Sequence, residues 1–533
     1  MREETLARKK QLGIGPAATQ LTKRESRIPA WDSLNAEQKQ LYAYMMEIYA
    51  GFLEQTDYNV GRVLAAIAQL GQLDNTLAIY ICGDNGASAE GMMQGSPNEI
   101  AAISGIWEDY KSILKHKDEL DTWKTHNHYP IGWAHAMDTP FQWTKQVASH
   151  YGGTRNGMVI FWPARIKDAG GIRSQWHHTV DIVPTILDVA GLQQPSVVNG
   201  VAQKPIEGVS LTYSFDDAKA PTTRRTQYFE MFGNRAVYHD GWLACTTPKL
   251  APWEDVAMFP QAAQVDVISG YKWELYHVAD DFSEAVNLAE QNPDKLHQLQ
   301  LLFYSEAARY NVLPLDDRKS ERFDVSIRPS LTRGRTEFTY YGPVTRIPEG
   351  AAPDVKNKSF RITANVALPT GNEQGVVVTQ GGLSAGYALL FQAGKPIFHY
   401  NLANVAHYNV AAKDSLAPGK HTVVFDFKYD GGGVGQPGTG TLSVDGKQVA
   451  EGRFAATLPP PSMPFSTMPG RFSLDETFDV GEDTGTPVSE DYDVPFKFTG
   501  QIEKVVINLG GPKLAAADQK ALEIAEARRR ASE

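Results

Sequence analysis

The densest chemistry in the chain lies in four consecutive residues, Gly83, Asp84, Asn85 and Gly86. A carboxylate and a side-chain amide carbonyl stand side by side between glycines, directly after the apolar run Leu77–Cys82. Both are hard oxygen donors, suited to Ca²⁺ or Mg²⁺ rather than to a thiophilic metal. The same four residues are equally good turn chemistry, an Asx-type cap on a strand end. The residues alone leave the two readings level. His126, His128 and His135 are a weaker signal: they read as a polar stretch with no Cys or carboxylate at ligand spacing, so no zinc site is expected there. The two cysteines, Cys82 and Cys245, support neither a disulfide framework nor a Cys-based zinc site. Cys82, inside the run TLAIYIC, reads as a buried structural thiol.

The elements that must position the loop follow from periodicity. Residues 38–70 read as one long helix, with Leu41, Met45, Ile48 and Phe52 on one stripe and Val60, Leu64, Ile67 and Leu70 continuing it. Gly71 ends it, and Leu77–Cys82 then reads as a parallel strand buried on both faces. Residues 157–162 (GMVIFW) read as a second such strand, and Val180–Ala190 as a helix closed by Gly191. Ligands of open α/β sheets bind beyond the carboxyl ends of strands, which is where Asp84 and Asn85 stand. Residues 224–310 form a different pattern: a hairpin turning at Asp240–Gly241, a strand at 273–278 and a helix over 292–310, together a small α+β subdomain.

From about residue 335 the pattern is β-rich. Val423, Phe425, Phe427 and Tyr429 alternate with polar residues, and Asp445–Gly446 turns another hairpin. This predicts a β-sandwich of jelly-roll type over 335–510, reached through a linker over 311–334 and followed by an Ala-, Glu- and Arg-rich helix over 511–533. His399–Asn401 and His407–Asn409 are candidate rim residues of that sandwich, with ordinary sandwich surface the better reading. The 533 residues exceed one compact domain, and 42% hydrophobic content supports sizeable cores. A net charge of −11 argues against nucleic acid as a partner. No run of about 18 apolar residues occurs, so no membrane span is expected.

Three ordered blocks carry a resemblance. Residues 42–86, with EQTDYNVGRVL and LDNTLAIYICGDNG, then 138–163 (DTPFQWTKQVASHYGGTRNGMVIFWP) and 177–191 (HHTVDIVPTILDVAG) together resemble the sulfatase family of the alkaline-phosphatase-like superfamily. The likeness spans about residues 1–310. It implies an alkaline-phosphatase-like open α/β sheet over 1–223, the α+β subdomain over 224–310, and an arylsulfatase-type sulfuric ester hydrolase; the later sandwich resembles concanavalin- or laminin-G-like domains. Asp84 and Asn85 are then ligands of one divalent cation, usually calcium. Lys145 is the lysine that contacts the sulfate, a compact charge suited to a departing oxygen. It stands seven residues before Gly152, one more than the common pattern, and His150 lies closer to that turn and shares the candidacy. Arg155 is expected to pin the Gly152–Gly153 turn.

The resemblance also implies parts that the sequence lacks. Sulfatases use a formylglycine made from the Cys or Ser of C/S-x-P-x-R. Here Cys245 is followed by TTPK, which places Pro248 one residue late. The family's paired Asp ligands on a buried strand are missing too. Two oxygens from one loop cannot hold Ca²⁺, which takes roughly six to eight. The expectation is an N-terminally truncated sulfatase, inactive alone, whose missing part or an oligomer partner completes the site. Its substrate would be a sulfate-ester small molecule or a sulfated glycan. A phosphodiesterase or phosphonate hydrolase of the same superfamily, and a non-catalytic glycan-binding or docking role of the sandwich, are the competing readings. The charged start REETLARKKQLG holds no apolar signal region, whereas the family is often periplasmic or secreted, so compartment stays open.

Overall fold

The long apolar stripe forms a single helix, α2 (Ala36–Gln69), after a short first helix α1 (Arg2–Gln11). Asn35 starts α2 through a reciprocal cap: its side chain accepts the Gln38 N–H at 2.8 Å, and the Gln38 side chain accepts the Asn35 N–H at 3.1 Å. Only Leu41, Tyr42 and Met45 of α2 are buried; Phe52 at 65% and Leu70 at 75% stand in solvent.

The computed structural model describes residues 1–99, 108–254, 265–317, 331–332, 334–432, 435–457, 472 and 476–512. The chain divides into two compact units, Met1–Gly95 with Tyr129–Asp317, and Ser96–His128 with Arg318–Glu533. The second grouping differs from the expected domain order, in which residues 96–128 belong with residues 1–223. Side-chain contacts join the segments of that unit: Asn98 Nδ2 donates to the carbonyls of Ser384 (3.1 Å) and Ala403 (3.0 Å), and Asn404 Nδ2 donates to Lys124 O (3.0 Å).

In the first unit, β1 (Ala78–Ile81) pairs with β2 (Met158–Phe161), Ala78 opposite Phe161 and Ile81 opposite Met158. The pairing is antiparallel, not the parallel arrangement the apolar runs suggested. An apolar run expresses a demand for burial and says nothing of strand direction, which the connection sets. Nor are the strands covered on both faces: Val159 is 58% exposed, and Cys82 is exposed rather than a buried thiol. Helix α3 (Ile131–Met137) carries His135, so that residue is helical and buried, not part of a polar loop. A one-turn helix α4 (Tyr151–Thr154) precedes β2, and α5 (Ile182–Val189) follows it, with Val183 and Ile186 exposed. The described residues thus supply two paired strands and their helices in place of the expected wider sheet.

A four-stranded antiparallel sheet follows: β3 (Thr226–Met231), β4 (Asn234–His239), β5 (Trp242–Thr246) and β6 (Trp273–His277), in sequence order. The β4–β5 turn is the expected Asp240–Gly241, both in left-handed backbone at φ 46° and 84°. Its two faces alternate along each strand. Val237, Ala244 and Leu275 pack on Leu299, Phe303 and Ala307 of α6 (Pro293–Arg309), while Tyr238, Leu243, Cys245 and Tyr276 pack with Phe141 and Tyr151. The second face therefore carries the segment that holds Lys145 and His150.

The second unit holds two six-stranded antiparallel sheets around one core. One runs Val344–Pro348, Thr477–Val480, Gly375–Gly381, Gly386–Gln392, Lys395–Leu402, Ala406–Ala411 from edge to edge; the other runs Lys447–Phe454, Gly438–Val444, Gly419–Tyr429, Lys358–Leu368, Gln501–Pro512, Glu337–Tyr340. Phe398 of the first and Phe425 of the second stack with ring centroids 3.5 Å apart. The rim reading fails for two residues, because His399 is 4% exposed and Asn401 is fully buried. Asn401 Nδ2 instead donates to the carbonyls of Gly382 and Leu383 at 3.2 and 2.8 Å. Residues 511–512 of the helix expected over 511–533 instead end the strand Gln501–Pro512, and the rest of that helix and most of the linker expected over 311–334 lie outside the described residues. No described helix is long and apolar enough to cross a membrane.

Candidate functional site

Asp84 and Asn85 sit on the loop leaving β1, Asp84 exposed and Asn85 half-buried. Asn85 Nδ2 donates to Asp84 Oδ1 at 2.7 Å. The loop is held from behind. Gly86 N–H donates to Gly153 O at 3.1 Å, and a Cβ on Gly86 would fall 1.6 Å from Gly152 O, so only glycine permits this approach. The next residue is fixed twice: Ala87 N–H donates to Asp138 Oδ1 at 2.9 Å, and Ala87 O accepts the Lys145 N–H at 3.1 Å. Burial pushes the Asp138 carboxyl up to about 7, against the Ala87 N–H and the nearby Lys9 and Arg2.

The Lys145 main chain is therefore paired with the loop that bears Asp84 and Asn85. Left-handed backbone at Trp143 (φ 66°) and Gln146 (φ 76°) brackets it. Its ammonium, one-third exposed, meets Glu90 Oε2 at 2.8 Å. Glu90 also accepts from Ser88 Oγ at 2.6 Å and Gln146 Nε2 at 3.2 Å. Burial pushes the Glu90 carboxyl up, but the Lys145, Ser88 and Gln146 donors outweigh it, and the group is held below its ordinary value. Glu90 and Asp138 hold Lys145 and the loop in place, contacts that sequence reasoning missed. The available signal was Ser88-x-Glu90, a polar pair placed just past the loop.

His150 lies elsewhere. It is 0% exposed, with Nδ1 at 2.9 Å from Ser149 Oγ, Nε2 at 2.9 Å from Glu274 Oε2 and Cys245 Sγ 3.6 Å from Nε2. Nδ1 is engaged by its neighbour Ser149 and Nε2 by the four-stranded sheet, so the expected catalytic histidine is built as an anchor of the turn that follows it. Burial pushes the Cys245 thiol well above its ordinary value. Glu284 completes the anchor, its carboxylate accepting the Tyr151 N–H at 3.1 and 3.2 Å. Arg155 does not pin a carbonyl with its side chain; its guanidinium lies over Phe282, 4.1 Å from the ring centroid, and over Tyr151 at 5.0 Å.

The donor set at Asp84 and Asn85 suits a hard cation in kind but not in number. Among the described residues, the one group of three or more His, Cys, Asp or Glu side chains that converges at metal-ligand distances is His150, Cys245 and Glu274, and it excludes Asp84. The loop as described does not make up a calcium site.

Residues 15–192 match the sulfatase family model. The chain is 29% identical over 313 residues to an uncharacterized sulfatase of Schizosaccharomyces pombe, covering 56% of this chain and 50% of that protein. It is 26% identical over 231 residues to an arylsulfatase of Klebsiella aerogenes, covering 43% and 46%. Among solved structures it is similar to Ps i-CgsB in complex with k-i-k-neocarrahexaose, with 16% identity, a TM-score of 0.33, and coverage of 55% of this chain and 48% of that one. Over residues 15–192 the chain is therefore similar to the sulfatase family. It spans about half the length of these two curated relatives.

Proposed function

We propose that this chain supplies part of a sulfuric ester hydrolase site of arylsulfatase type: Asp84 and Asn85 as ligands of one Ca²⁺, and Lys145 as the cation facing the sulfate. The observation that carries the reading is the backbone pairing of Lys145 with Ala87, two residues beyond Asn85. It ties the main chain of Lys145 to the loop that bears the two hard oxygen donors. An ammonium in that place can exchange Glu90 for a sulfate oxygen and support charge on the departing oxygen. Glu90 is the positioning residue for Lys145, and His150 positions the Gly152–Gly153 turn beneath the loop. Further cation ligands and a nucleophile from beyond these residues are required, because two oxygens fall short of the roughly six to eight that Ca²⁺ takes. The substrate class is a sulfate ester, either an aryl sulfate or a sulfated glycan; the relatives' sulfatase and arylsulfatase names support a sulfate ester.

An assay of the chain with a chromogenic aryl sulfate and Ca²⁺ tests the reading. The expected result is no turnover above the buffer rate. Robust turnover that persists in Asp84→Asn and Lys145→Met would overturn both the assigned residues and the incomplete site.

A further inference from the structure

The His150, Cys245 and Glu274 side chains come from three separate places in the chain and meet at one point. Cys245 on β5 and Glu274 on β6 are directly opposed across the antiparallel ladder, so their side chains share one face of the sheet. His150 closes over that face from the segment before α4. The Nε2, Sγ and carboxylate oxygen all lie within 4.8 Å of one another. Two of the three residues are fully buried, and the Glu274 side chain is 16% exposed.

An ordinary buried histidine spreads its two nitrogens over two partners. Here a single nitrogen, Nε2, faces both the Glu274 oxygen at 2.9 Å and the Cys245 sulfur at 3.6 Å. Ligands at zinc–sulfur and zinc–nitrogen bond lengths, set at a tetrahedral angle, stand about 3.6 Å apart. The nitrogen–oxygen pair would need to open to about 3.4 Å, a carboxylate swing of about half an ångström. The outer contacts of a metal site are also present. Ser149 Oγ lies 2.9 Å from His150 Nδ1 and fixes the ring. Thr247 Oγ1 donates to Glu274 Oε1 at 3.0 Å, and the Tyr276 hydroxyl donates to Glu274 Oε2 at 3.0 Å. One nitrogen, one sulfur and one carboxylate oxygen form a borderline donor set, matched to Zn²⁺ or Co²⁺ and not to Ca²⁺.

We propose that Cys245, His150 and Glu274 bind one zinc-class divalent cation, at a site separate from the Asp84–Asn85 loop. The fourth position is filled by water. The bound ion clamps the His150 segment to the four-stranded sheet and so steadies the Gly152–Gly153 turn on which Gly86 rests. Binding takes up the Cys245 thiolate and releases its proton to solvent.

Cobalt titration of the chelator-treated full chain tests the site. The expected result is uptake of one Co²⁺ with a thiolate-to-cobalt charge-transfer absorption that excess Ca²⁺ leaves in place and Zn²⁺ removes. Cys245→Ser loses the absorption, and Ser149→Ala binds Co²⁺ about 10-fold more weakly. Glu274→Gln, which keeps its hydrogen-bonding shape, also weakens binding and serves where Cys245→Ser does not fold. Failure of the wild-type chain to take up Co²⁺ or Zn²⁺ overturns the proposal, as does an unchanged spectrum and affinity in Cys245→Ser.

Discussion

Replacing Asp181 with Ala lowers the stability of the unit that carries it by about 3–5 kcal/mol, the cost of stranding a buried charge. Asp181 is fully buried before α5 and serves five donors. Arg224 Nε lies 3.1 and 2.9 Å from its two oxygens, and Arg224 Nη2 also donates to Oδ1. His177 Nδ1 lies 2.9 Å away, and the Val209 and His178 N–H groups donate at 2.8 and 3.0 Å. Truncation leaves the Arg224 guanidinium, itself 7% exposed, without its carboxylate. Burial pushes the Asp181 carboxyl up, but His177, Arg224 and the two N–H groups more than offset this and hold it well below its ordinary value. A depressed carboxyl contributes fully above its unfolded value of about 3.9 and loses that contribution as pH falls through the folded value. The gap between wild type and variant is therefore complete at neutral pH and narrows only below about pH 4. Calorimetry of the full chain should lower the transition of this unit and leave that of the two six-stranded sheets in place. A change within about 0.5 kcal/mol, the range of ordinary surface substitutions, would show that the network is not needed.

Gly86→Ala is the second large effect, and it acts on the site. The added Cβ would stand 1.6 Å from Gly152 O and 2.7 Å from Gly152 C. Both atoms are backbone, and the turn behind them cannot retreat: a Cβ on Gly152 would already meet Gln142 O at 2.0 Å, and one on Gly153 would meet Val147 O at 2.1 Å. Either the variant carries about 1–3 kcal/mol of overpacking or the loop lifts and separates Asp84 and Asn85 from Lys145. Both outcomes reduce Ca²⁺ affinity. Gly51→Ala is the control, since its Cβ has nothing within 4 Å and lies inside α2, where Ala is favoured by about 0.5–1 kcal/mol. Calcium titration alongside thermal unfolding of the three proteins distinguishes them. Unchanged stability and unchanged affinity in Gly86→Ala would mean that the loop is not seated on the turn.

The features legible in the sequence were those that one short segment dictates. Asp240–Gly241 needs left-handed backbone at both positions, and the hairpin forms there. The α2 stripe and the period-two run from Val423 to Tyr429 declare their own elements. Asp84 and Asn85 stand out in the sequence because their chemistry is contiguous, and their role as cation ligands is the reading proposed above. The features missed depend on distant segments. The direction of β1 against β2 is set by a connection of more than seventy residues, not by either apolar run. Residues 96–128 group with the second unit, and the contacts that join them, such as those of Asn98 and Asn404, come from single amides that no periodicity marks. The cluster at Cys245 was invisible because its donors are scattered from residue 150 to residue 274, and two cysteines alone gave no zinc pattern. His150 is a candidate by its position beside the turn, whereas Ser149 engages its Nδ1 and the residues of β5 and β6 engage its Nε2.

Asp84 and Asn85 are proposed as cation ligands of a sulfate-ester site that needs further ligands. Isothermal titration of Ca²⁺ into the wild-type chain and into Asp84→Asn tests this most directly. The account predicts weak binding to the wild type, with a dissociation constant of about 1 mM or weaker, and loss of that binding in Asp84→Asn. Tight binding at about 1 μM or below, or an affinity unaltered by Asp84→Asn, would contradict it.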